Sequence, residues 1–351
     1  MTHTPAHLPA HPVQHGGNLH EAARLYRIPY DQWLDLSTGV NPHGYPVPPV
    51  PAAAWRRLPD DGDGFAALAA RYYGAPDASH VLPVAGSQAA IRALPALLPH
   101  ATVAIAPLTY SEYAPAFARA GHQVAPLDAT RATLPDAITH AVIVNPNNPT
   151  ADYAGADMLL DWHAQLSARG GTLLVDEAFA DAMPAPSASL ASCVARPGLI
   201  VLRSPGKFFG LAGVRAGFVL AQPDLLDALL DALGAWTVSG PARHAVSAAF
   251  ADTHWQQQMR ERVTAAGERL ATLLRAQRFT VQATPLFCWT ADPHAHALHR
   301  ALAERGIWTR LFAHSQPASV RVGLPASADD WTRLERAVAE SVHVIDARRA
   351  R

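Results

Sequence analysis

The stretch 199–220, LIVLRSPGKFFGLAGVRAGFVL, contains Lys207, the only lysine in 351 residues. Lysine and arginine together number 28, so arginine occupies the other 27 basic positions. An amine can lose its proton and attack a carbonyl, whereas a guanidinium stays charged and is not a nucleophile. The lone lysine therefore predicts a Schiff base at position 207, although biased residue usage alone could also leave one lysine.

Apolar runs on both sides of the lysine, at 199–203 and 216–221, predict two strands. From about residue 80, β-branched runs alternate with alanine-rich helical stretches, which is typical of a mainly parallel sheet covered by helices on both faces. The sequence therefore predicts an α/β fold. The other predicted strands are 102–106, 141–145 and 172–176, and the predicted helices are 87–98, 157–168 and 224–233.

After Gly240 the pattern changes and predicts a smaller α+β domain. We expect this domain to comprise residues 15–45 and 241–351, beside a large domain at 46–240. Residues 1–14 contain three prolines that prevent a histidine-bearing helix, and they are expected to form a disordered tail. The elements predicted after residue 240 are one long helix at 242–276, extended chain at 279–290, a helix at 295–305, a strand at 319–323 and a helix at 329–340.

Bulk composition limits the classes of partner and the cellular location. The formal net charge is −1 and the basic residues are scattered, which argues against nucleic acid and anionic membrane surfaces as partners. No run of about 18 apolar residues predicts a membrane span, and the start of the chain lacks the features of a signal peptide. Cys193 and Cys288 form no paired framework, which is typical of a reducing compartment, so we expect a cytoplasmic protein. We also expect the partner to be a small molecule, and we expect no bound metal.

Polar clusters follow the predicted strands of the large domain. Gly86-Ser-Gln88 opens a helix, Asn145-Pro-Asn-Asn-Pro-Thr150 follows one strand, and Asp176-Glu-Ala-Phe179 follows another. Ser204 to Arg215 follows the strand that ends at Arg203. Because the carboxyl ends of parallel strands form the ligand edge of an α/β sheet, these clusters are expected to converge in one site.

This set of motifs resembles the fold-type I pyridoxal-phosphate (PLP) enzymes of the aspartate aminotransferase superfamily. Four motifs occur in the order of that family and span most of the chain. The resemblance implies the PLP-dependent transferase fold, PLP as cofactor, and a homodimer. It also implies that the cofactor is contacted by Asn148, Asp176, Lys207 and Arg215.

The chemistry of PLP explains the residue types. A buried carboxylate at Asp176 would keep the pyridine nitrogen protonated, so that the ring can accept electrons. The phosphate needs main-chain amides, a hydroxyl and a guanidinium. These groups are expected from Gly86, Ser87, Gln88, Ser204 and Arg215. A helix cap is the simpler alternative for the Gly-Ser-Gln triplet and for Asp176.

Three more residues take roles by the same resemblance. Asn148 would donate to the ring oxygen, and Tyr110 would stack on the pyridine ring and contribute to catalysis with Lys207 and Asp176. Arg321 would bind the substrate carboxylate through its planar fork. The alternatives are an Asn-Pro turn, a packed tyrosine and a sheet-edge arginine in solvent.

The N-terminal segment resembles L-threonine-O-3-phosphate decarboxylases of cobalamin biosynthesis, which convert this substrate to (R)-1-amino-2-propanol O-2-phosphate. The resemblance rests on His15-Gly-Gly-Asn18 and on the segment 34–44, LDLSTGVNPHG. We expect His15 and Asn18 to help bind the substrate phosphate, together with Asn148 and Arg321 at the carboxylate. A histidine in an ordinary loop is the alternative for His15.

Three positions depart from related histidinol-phosphate aminotransferases. Phe179 replaces a tyrosine that donates to the ring oxygen, and Leu58 replaces a tyrosine that reaches the phosphate in the neighbouring subunit. Ala151 replaces the glycine of the common Pro-Thr-Gly, which is expected to affect only the turn. An aminotransferase of that type remains the alternative function.

Two other classes of protein match part of the sequence. The sequence Ser204-Pro-Gly-Lys207 satisfies the S-x-x-K signature of serine acylases, but those enzymes also need Lys-Thr-Gly, which a chain with one lysine lacks. A non-catalytic module with this fold is disfavoured because Lys207, Asp176 and Arg321 are retained together.

Overall fold

The structure is a computed structural model that describes residues 15–184 and 188–349. The predicted disordered tail, residues 1–14, lies outside the described residues. The described helices are α1 Leu19–Tyr26, α2 Ala52–Arg56, α3 Phe65–Tyr73, α4 Ser87–Ala93, α5 Tyr113–Arg119, α6 Ala156–Ser167, α7 Pro205–Phe208, α8 Pro223–Leu233, α9 Gly240–Ala251, α10 Thr253–Ala276, α11 Ala295–Ala303 and α12 Ala328–Arg349. The described strands are β1 Leu34–Asp35, β2 Val81–Val84, β3 Thr102–Ile105, β4 Gln123–Pro126, β5 His140–Val144, β6 Thr172–Asp176, β7 Leu199–Arg203, β8 Gly217–Leu220, β9 Gln282–Thr284, β10 Phe287–Ala291, β11 Ile307–Trp308, β12 Arg310–Phe312 and β13 Ser319–Gly323.

A seven-stranded mixed sheet forms the centre of the molecule, in the order β2-β8-β7-β6-β5-β3-β4. The strands from β7 to β4 pair in parallel, and β8 is antiparallel to both of its neighbours. Every residue of β5, β6 and β7 is buried. This explains why these strands are almost continuously apolar, since a strand covered on both faces has no solvent side.

Alternate residues of the central strands belong to two hydrophobic clusters. Leu173 and Val175 of β6 pack in one cluster, while Leu174 between them packs in the other. The same alternation holds for β7, where Leu199 and Val201 lie opposite Ile200. Helices therefore cover both faces of the sheet, and the predicted α/β class is confirmed.

Strand 319–323 has the predicted bounds, and the other predicted strands are confirmed to within one residue at either end. The predicted helix 87–98 is shorter: α4 ends at Ala93 and a 3-10 turn follows over Leu94–Leu97. Pro95 explains the change, because proline has no N–H for a helical hydrogen bond. The last helix is longer than predicted and runs to Arg349.

The prediction of one helix over 242–276 is wrong, because α9 and α10 are separate helices. They meet at Asp252, whose φ of −91° and ψ of 77° are not helical. The carboxylate of Asp252 accepts a hydrogen bond of 2.9 Å from the Trp255 amide and so caps the new helix. The apolar periodicity of the sequence continues through this break and so does not reveal it. The break depends on a local hydrogen bond between the Asp252 side chain and the backbone.

A four-stranded antiparallel sheet, β12-β13-β10-β9, lies in the second half of the chain. The N-terminal strand β1 pairs in parallel with β11 of the same half. We propose that residues 15–45 belong with this smaller domain, and this pairing supports the proposal. The boundary at residue 241 stays a prediction; α9, which begins at this boundary, packs against α2 and α3.

None of the helices within residues 15–184 and 188–349 has the length and apolar character needed to cross a bilayer.

A buried ion network links the ends of β6 and β7. Arg203, the last residue of β7, donates to the carboxylates of Glu177 and Asp181. All three residues are at most 5% exposed. Glu177 also accepts from the Leu190 amide at 2.8 Å. Buried charges persist only when they are paired, so this network fixes the positions of the two strand ends that hold Asp176 and Ser204.

Ala151 adopts a left-handed backbone conformation, with φ of 64°. This conformation costs a non-glycine residue about 1–2 kcal/mol. The sequence difference at this turn therefore has an energetic consequence, since glycine would occupy it without that strain.

We predict that Ala151→Gly raises the free energy of unfolding by about 0.5–1 kcal/mol. The relieved strain exceeds the roughly 0.5–1 kcal/mol that glycine costs through its freedom in the unfolded chain. Chemical denaturation of the two proteins measures the difference. Ala118→Gly, within α5, is the matched control and should lower the free energy of unfolding by about 1 kcal/mol. A stability loss at both positions would contradict the strain at Ala151.

Candidate active site

One pocket opens where the carboxyl ends of the central strands meet. All nine residues predicted to bind the cofactor line it, so the predicted convergence of the polar clusters is found in the structure. These residues are Gly86, Ser87, Gln88, Tyr110, Asn148, Asp176, Ser204, Lys207 and Arg215. Their individual roles remain predictions.

Lys207 lies in the one-turn helix α7, directly after β7. Its amine is 5.9 Å from the centre of the Phe179 ring. Burial lowers the pKa of Lys207 to about 8, and the positive charges of Arg321 and Arg215 act in the same direction, while Asp176 opposes them. A substantial fraction of the amine is therefore neutral near pH 8, as a nucleophile requires.

Asp176 is the last residue of β6 and is only 4% exposed. Its carboxylate accepts hydrogen bonds from the Tyr113 hydroxyl at 2.7 Å and from the Ala178 amide at 3.0 Å. Burial raises the pKa of Asp176, whereas these two donors and the charge of Lys207 lower it. The carboxylate is thus held in a fixed direction and is open to a cationic partner.

The groups predicted to bind phosphate surround the start of α4. Gly86 has φ of 79°, and a Cβ atom on it would lie 2.7 Å from Nη2 of Arg215. This position requires glycine for both reasons. The hydroxyl of Ser204 donates to that of Ser87 at 2.9 Å. Residues with two hydroxyls, a guanidinium and helix-start amides therefore line the same pocket, which suits a phosphate dianion.

Tyr110 and Gln88 are joined across the pocket. The Tyr110 hydroxyl donates to Oε1 of Gln88 at 2.9 Å. Burial, together with the nearby charges of Glu112 and Asp176, raises the pKa of Tyr110 to about 12, although the charge of Arg215 acts in the opposite direction. The phenol therefore stays protonated at neutral pH, and its half-buried ring lines the pocket.

Arg321 of β13 does not line the pocket but bonds Asn148, which does. Its guanidinium donates to the Asn148 side chain, and it also donates to the carbonyl of Ser37 at 2.6 Å. Burial lowers the pKa of Arg321 to about 10, with a smaller contribution from the charge of Arg310. The arginine remains protonated at neutral pH, and hydrogen bonds to two other segments of the chain fix its position.

The His-Gly-Gly-Asn segment lies beside the pocket and does not line it. Nε2 of His15 lies 2.9 Å from Oε1 of Glu112, and its ring centre is 6.1 Å from that of Tyr110. The Gly17 amide donates to the Ser37 hydroxyl at 2.7 Å. Asn18 instead caps α1, where its side chain bonds the Glu21 amide and carboxylate, so the structure does not bring Asn18 to the pocket.

Two residues near the site were missed from the sequence. Tyr113 follows Tyr110 by three residues and begins α5, but nothing in the sequence indicates that its hydroxyl reaches Asp176. Arg310 of β12 lies directly opposite Arg321 of β13 in the antiparallel register. Directly opposed residues of antiparallel strands project from the same face, so this register places both arginines on the same side of the sheet.

Phe179 borders the pocket and has no hydroxyl to offer a ligand. Its ring meets that of Phe287 edge-on, with centres 5.1 Å apart. A Cβ atom on Gly39 would lie 2.9 Å from this ring. The departure from tyrosine at this position is therefore accommodated by apolar packing.

Comparisons with known proteins identify the family of this arrangement. The sequence profile of aminotransferase class I and II matches residues 62–339. A "Threonine-phosphate decarboxylase" of Pseudomonas aeruginosa is 50% identical over 93% of this chain and 97% of its own length. A protein of the same name from Sinorhizobium sp is 42% identical over 93% of this chain and 98% of its own.

A solved structure shows the same fold. Histidinol-phosphate aminotransferase from Sinorhizobium meliloti, in complex with pyridoxal-5'-phosphate, superimposes with a TM-score of 0.81 at 17% identity, over 98% of this chain and 99% of that one. The profile match, the two relatives and the shared architecture agree with the lysine, aspartate and arginine found around the pocket. On this evidence the chain belongs to the aminotransferase class I and II family.

Proposed function

We propose that this protein catalyses the PLP-dependent decarboxylation of L-threonine O-3-phosphate to (R)-1-amino-2-propanol O-2-phosphate, in cobalamin biosynthesis. The observation that carries the proposal is 50% identity, over nearly the full length of both chains, to a relative with the name threonine-phosphate decarboxylase. The His-Gly-Gly-Asn segment beside the pocket supports it. The same pocket chemistry would serve an aminotransferase, so the reaction outcome must be tested directly.

The residues present fit PLP. Asp176 offers a buried carboxylate for the ring nitrogen, and Lys207 offers an amine in the same pocket. The Arg215 guanidinium lies close to Gly86. Because Gly86 has no side chain, room for a ligand remains beside the guanidinium. When bound, PLP supplies an aldehyde for covalent attachment and a protonated ring that accepts the electron pair of the breaking bond.

Lys207 would act twice, first as the covalent attachment point and then as a proton carrier. Its pKa of about 8 means that the amine gains and loses a proton near neutral pH at small cost. Asp176 would pair with the ring nitrogen, and Tyr113 would keep the carboxylate turned toward it.

Arg321 and Asn148 would hold the substrate carboxylate. Decarboxylation requires the bond to that carboxylate to stand perpendicular to the cofactor ring. Because Arg321 is already bonded to Asn148 and to the Ser37 carbonyl, its orientation is set before substrate binds. The substrate bond that breaks would therefore be selected by the position of this guanidinium.

The phosphate at the other end of the substrate would lie near His15 and Arg310. His15 is part of the segment that the Ser37 hydroxyl anchors, and Arg310 shares a sheet face with Arg321. Two arginines on one face complement a substrate with both a carboxylate and a phosphate. Asn18 remains a predicted contributor, although it caps α1 in the structure.

We predict that the protein supplied with PLP converts threonine phosphate to a product lighter by the mass of CO2, with its nitrogen retained. Mass spectrometry of the product and release of CO2 measure the reaction. Lys207→Ala serves as the control and should lack turnover, because the amine is lost. An oxo product formed only with 2-oxoglutarate, or activity on histidinol phosphate alone, would contradict the proposal and favour an aminotransferase.

We predict that Tyr113→Phe lowers kcat/KM about tenfold, which is typical for losing one hydrogen bond to a charged group. Removal of the Tyr113 hydroxyl takes away a donor that lowers the pKa of Asp176, so this pKa rises. A higher pKa leaves less ionised carboxylate at any given pH. The acid limb of the rate profile should therefore move to higher pH.

Tyr45→Phe is the matched control for this variant. The Tyr45 hydroxyl lies 3.4 Å from a carboxylate oxygen of Asp252, but it lies outside the pocket. This control should keep the acid limb of the wild-type enzyme. An unshifted acid limb in Tyr113→Phe would mean that the Tyr113 hydroxyl does not act on Asp176.

We also propose that the protein is a homodimer. Three large apolar side chains are exposed in α2, in the turn after it and in the loop that leads into α9, namely Trp55 at 69%, Leu58 at 67% and Trp236 at 56%. Exposed apolar patches of this kind mark association surfaces. Sedimentation should give twice the chain mass, and Trp55→Glu should weaken association; a monomer at micromolar concentration would contradict the proposal.

The cytoplasm is the location we propose. Cys193 and Cys288 are both free thiols in the structure. Proteins of oxidising compartments commonly rely on disulfides, whereas thiols persist under reducing conditions. A reducing compartment is therefore consistent with both residues.

A further inference from the structure

The helix that contains Lys207 is too short to be stable on its own. It comprises only the four residues of α7, Pro205–Phe208. A single helical turn is unstable in isolation, because several backbone angles must be fixed for each hydrogen bond gained. The position of the lysine therefore depends on groups from outside this turn.

Asn41 supplies such groups. Its amide donates to the carbonyl of Lys207 at 2.9 Å, and its side-chain Nδ2 donates to the carbonyl of Phe208 at 2.8 Å. Its Oδ1 accepts from the amide of His43 at 2.9 Å. Asn41 is 2% exposed and does not line the pocket. Both of its N–H donor groups thus bind the main chain around the lysine, while its side-chain oxygen binds its own turn.

The same segment touches other parts of the site. We call residues 37–41 the strap. The carbonyl of Ser37 accepts from Arg321, and Gly39 packs against the Phe179 ring, which faces the Lys207 amine. The strap follows β1, which pairs with β11. One short segment therefore sets the positions of the lysine backbone and of the arginine together.

We propose that Asn41 is a positioning residue, which holds the backbone of Lys207 so that its amine is presented to the cofactor. The inference rests on the proposed function only in that PLP is attached at Lys207. Asn41 does not line the pocket, so it would act through the lysine. Loss of its side-chain donor should weaken PLP binding and slow turnover, with little effect on substrate affinity.

Two variants separate this role from a role in local folding. Asn41→Ala removes both side-chain hydrogen bonds. Asn41→Asp keeps an acceptor for the His43 amide and loses the donor to Phe208. If Asn41 only stabilised the turn at His43, Asn41→Asp would behave as wild type. If it holds α7, both variants should be impaired, and Asn41→Asp keeps the test available should Asn41→Ala fail to fold.

The first measurement is the dissociation constant of PLP from the cofactor-free protein, followed by absorbance. Loss of one buried hydrogen bond corresponds to roughly a fivefold to tenfold weaker affinity. We expect PLP binding to weaken about tenfold in both variants. In the loaded enzyme, kcat for threonine phosphate should fall by a similar factor while KM changes less than twofold.

Gln256→Ala is the matched control. Gln256 is also a buried carboxamide that donates to main-chain carbonyls, those of Ala249 and Phe250 at the end of α9, and it lies outside the pocket. It should lose stability but keep the wild-type affinity for PLP. Wild-type PLP affinity in folded Asn41→Asp, or an equal loss in Gln256→Ala, would overturn the proposal.

The proposed function can fail separately. If wild type binds PLP but leaves threonine phosphate intact, the proposed reaction is wrong, while the PLP affinities still decide the role of Asn41. If wild type decarboxylates the substrate and the Asn41 variants match it in PLP affinity and kcat, only the positioning role is overturned.

Discussion

A buried carboxylate must have partners, and this requirement at Asp176 organises the pocket around it. The parallel strands bring their polar ends into one region, where water cannot satisfy every group. Tyr113 and the Ala178 amide supply two hydrogen bonds, and the positive charge of Lys207 also favours the ionised carboxylate. The remaining acceptor capacity is what a cationic ring nitrogen would use. Affinity for the cofactor thus follows from the way the fold buries charge.

The pocket residues could be predicted because they follow strands that the sequence makes evident. Uninterrupted apolar runs are typical of fully buried parallel strands, and the residue that ends such a run lies at the ligand edge. Asp176 and Ser204 were found in this way. The lone lysine needed no structural prediction at all, since its chemistry differs from that of every other basic residue in the chain.

The remaining features depend on contacts between distant parts of the chain. The hydroxyl of Tyr113 reaches a residue 63 positions away, and Asn41 binds carbonyls more than 160 positions away. Arg310 becomes notable only through its register opposite Arg321. Asn18 shows the opposite case: it belongs to the His-Gly-Gly-Asn motif that was expected at the substrate, yet in the structure its side chain caps α1. Local patterns indicate residue types, but they do not determine which atoms meet.

The central claim is that the amine of Lys207 forms the covalent bond to PLP, and reduction with borohydride tests it most directly. The protein is incubated with PLP, reduced, digested and mapped by mass spectrometry. A pyridoxyl label on the peptide that contains Lys207 is the predicted result. A protein that binds PLP and is labelled only elsewhere, or not at all, would contradict the account.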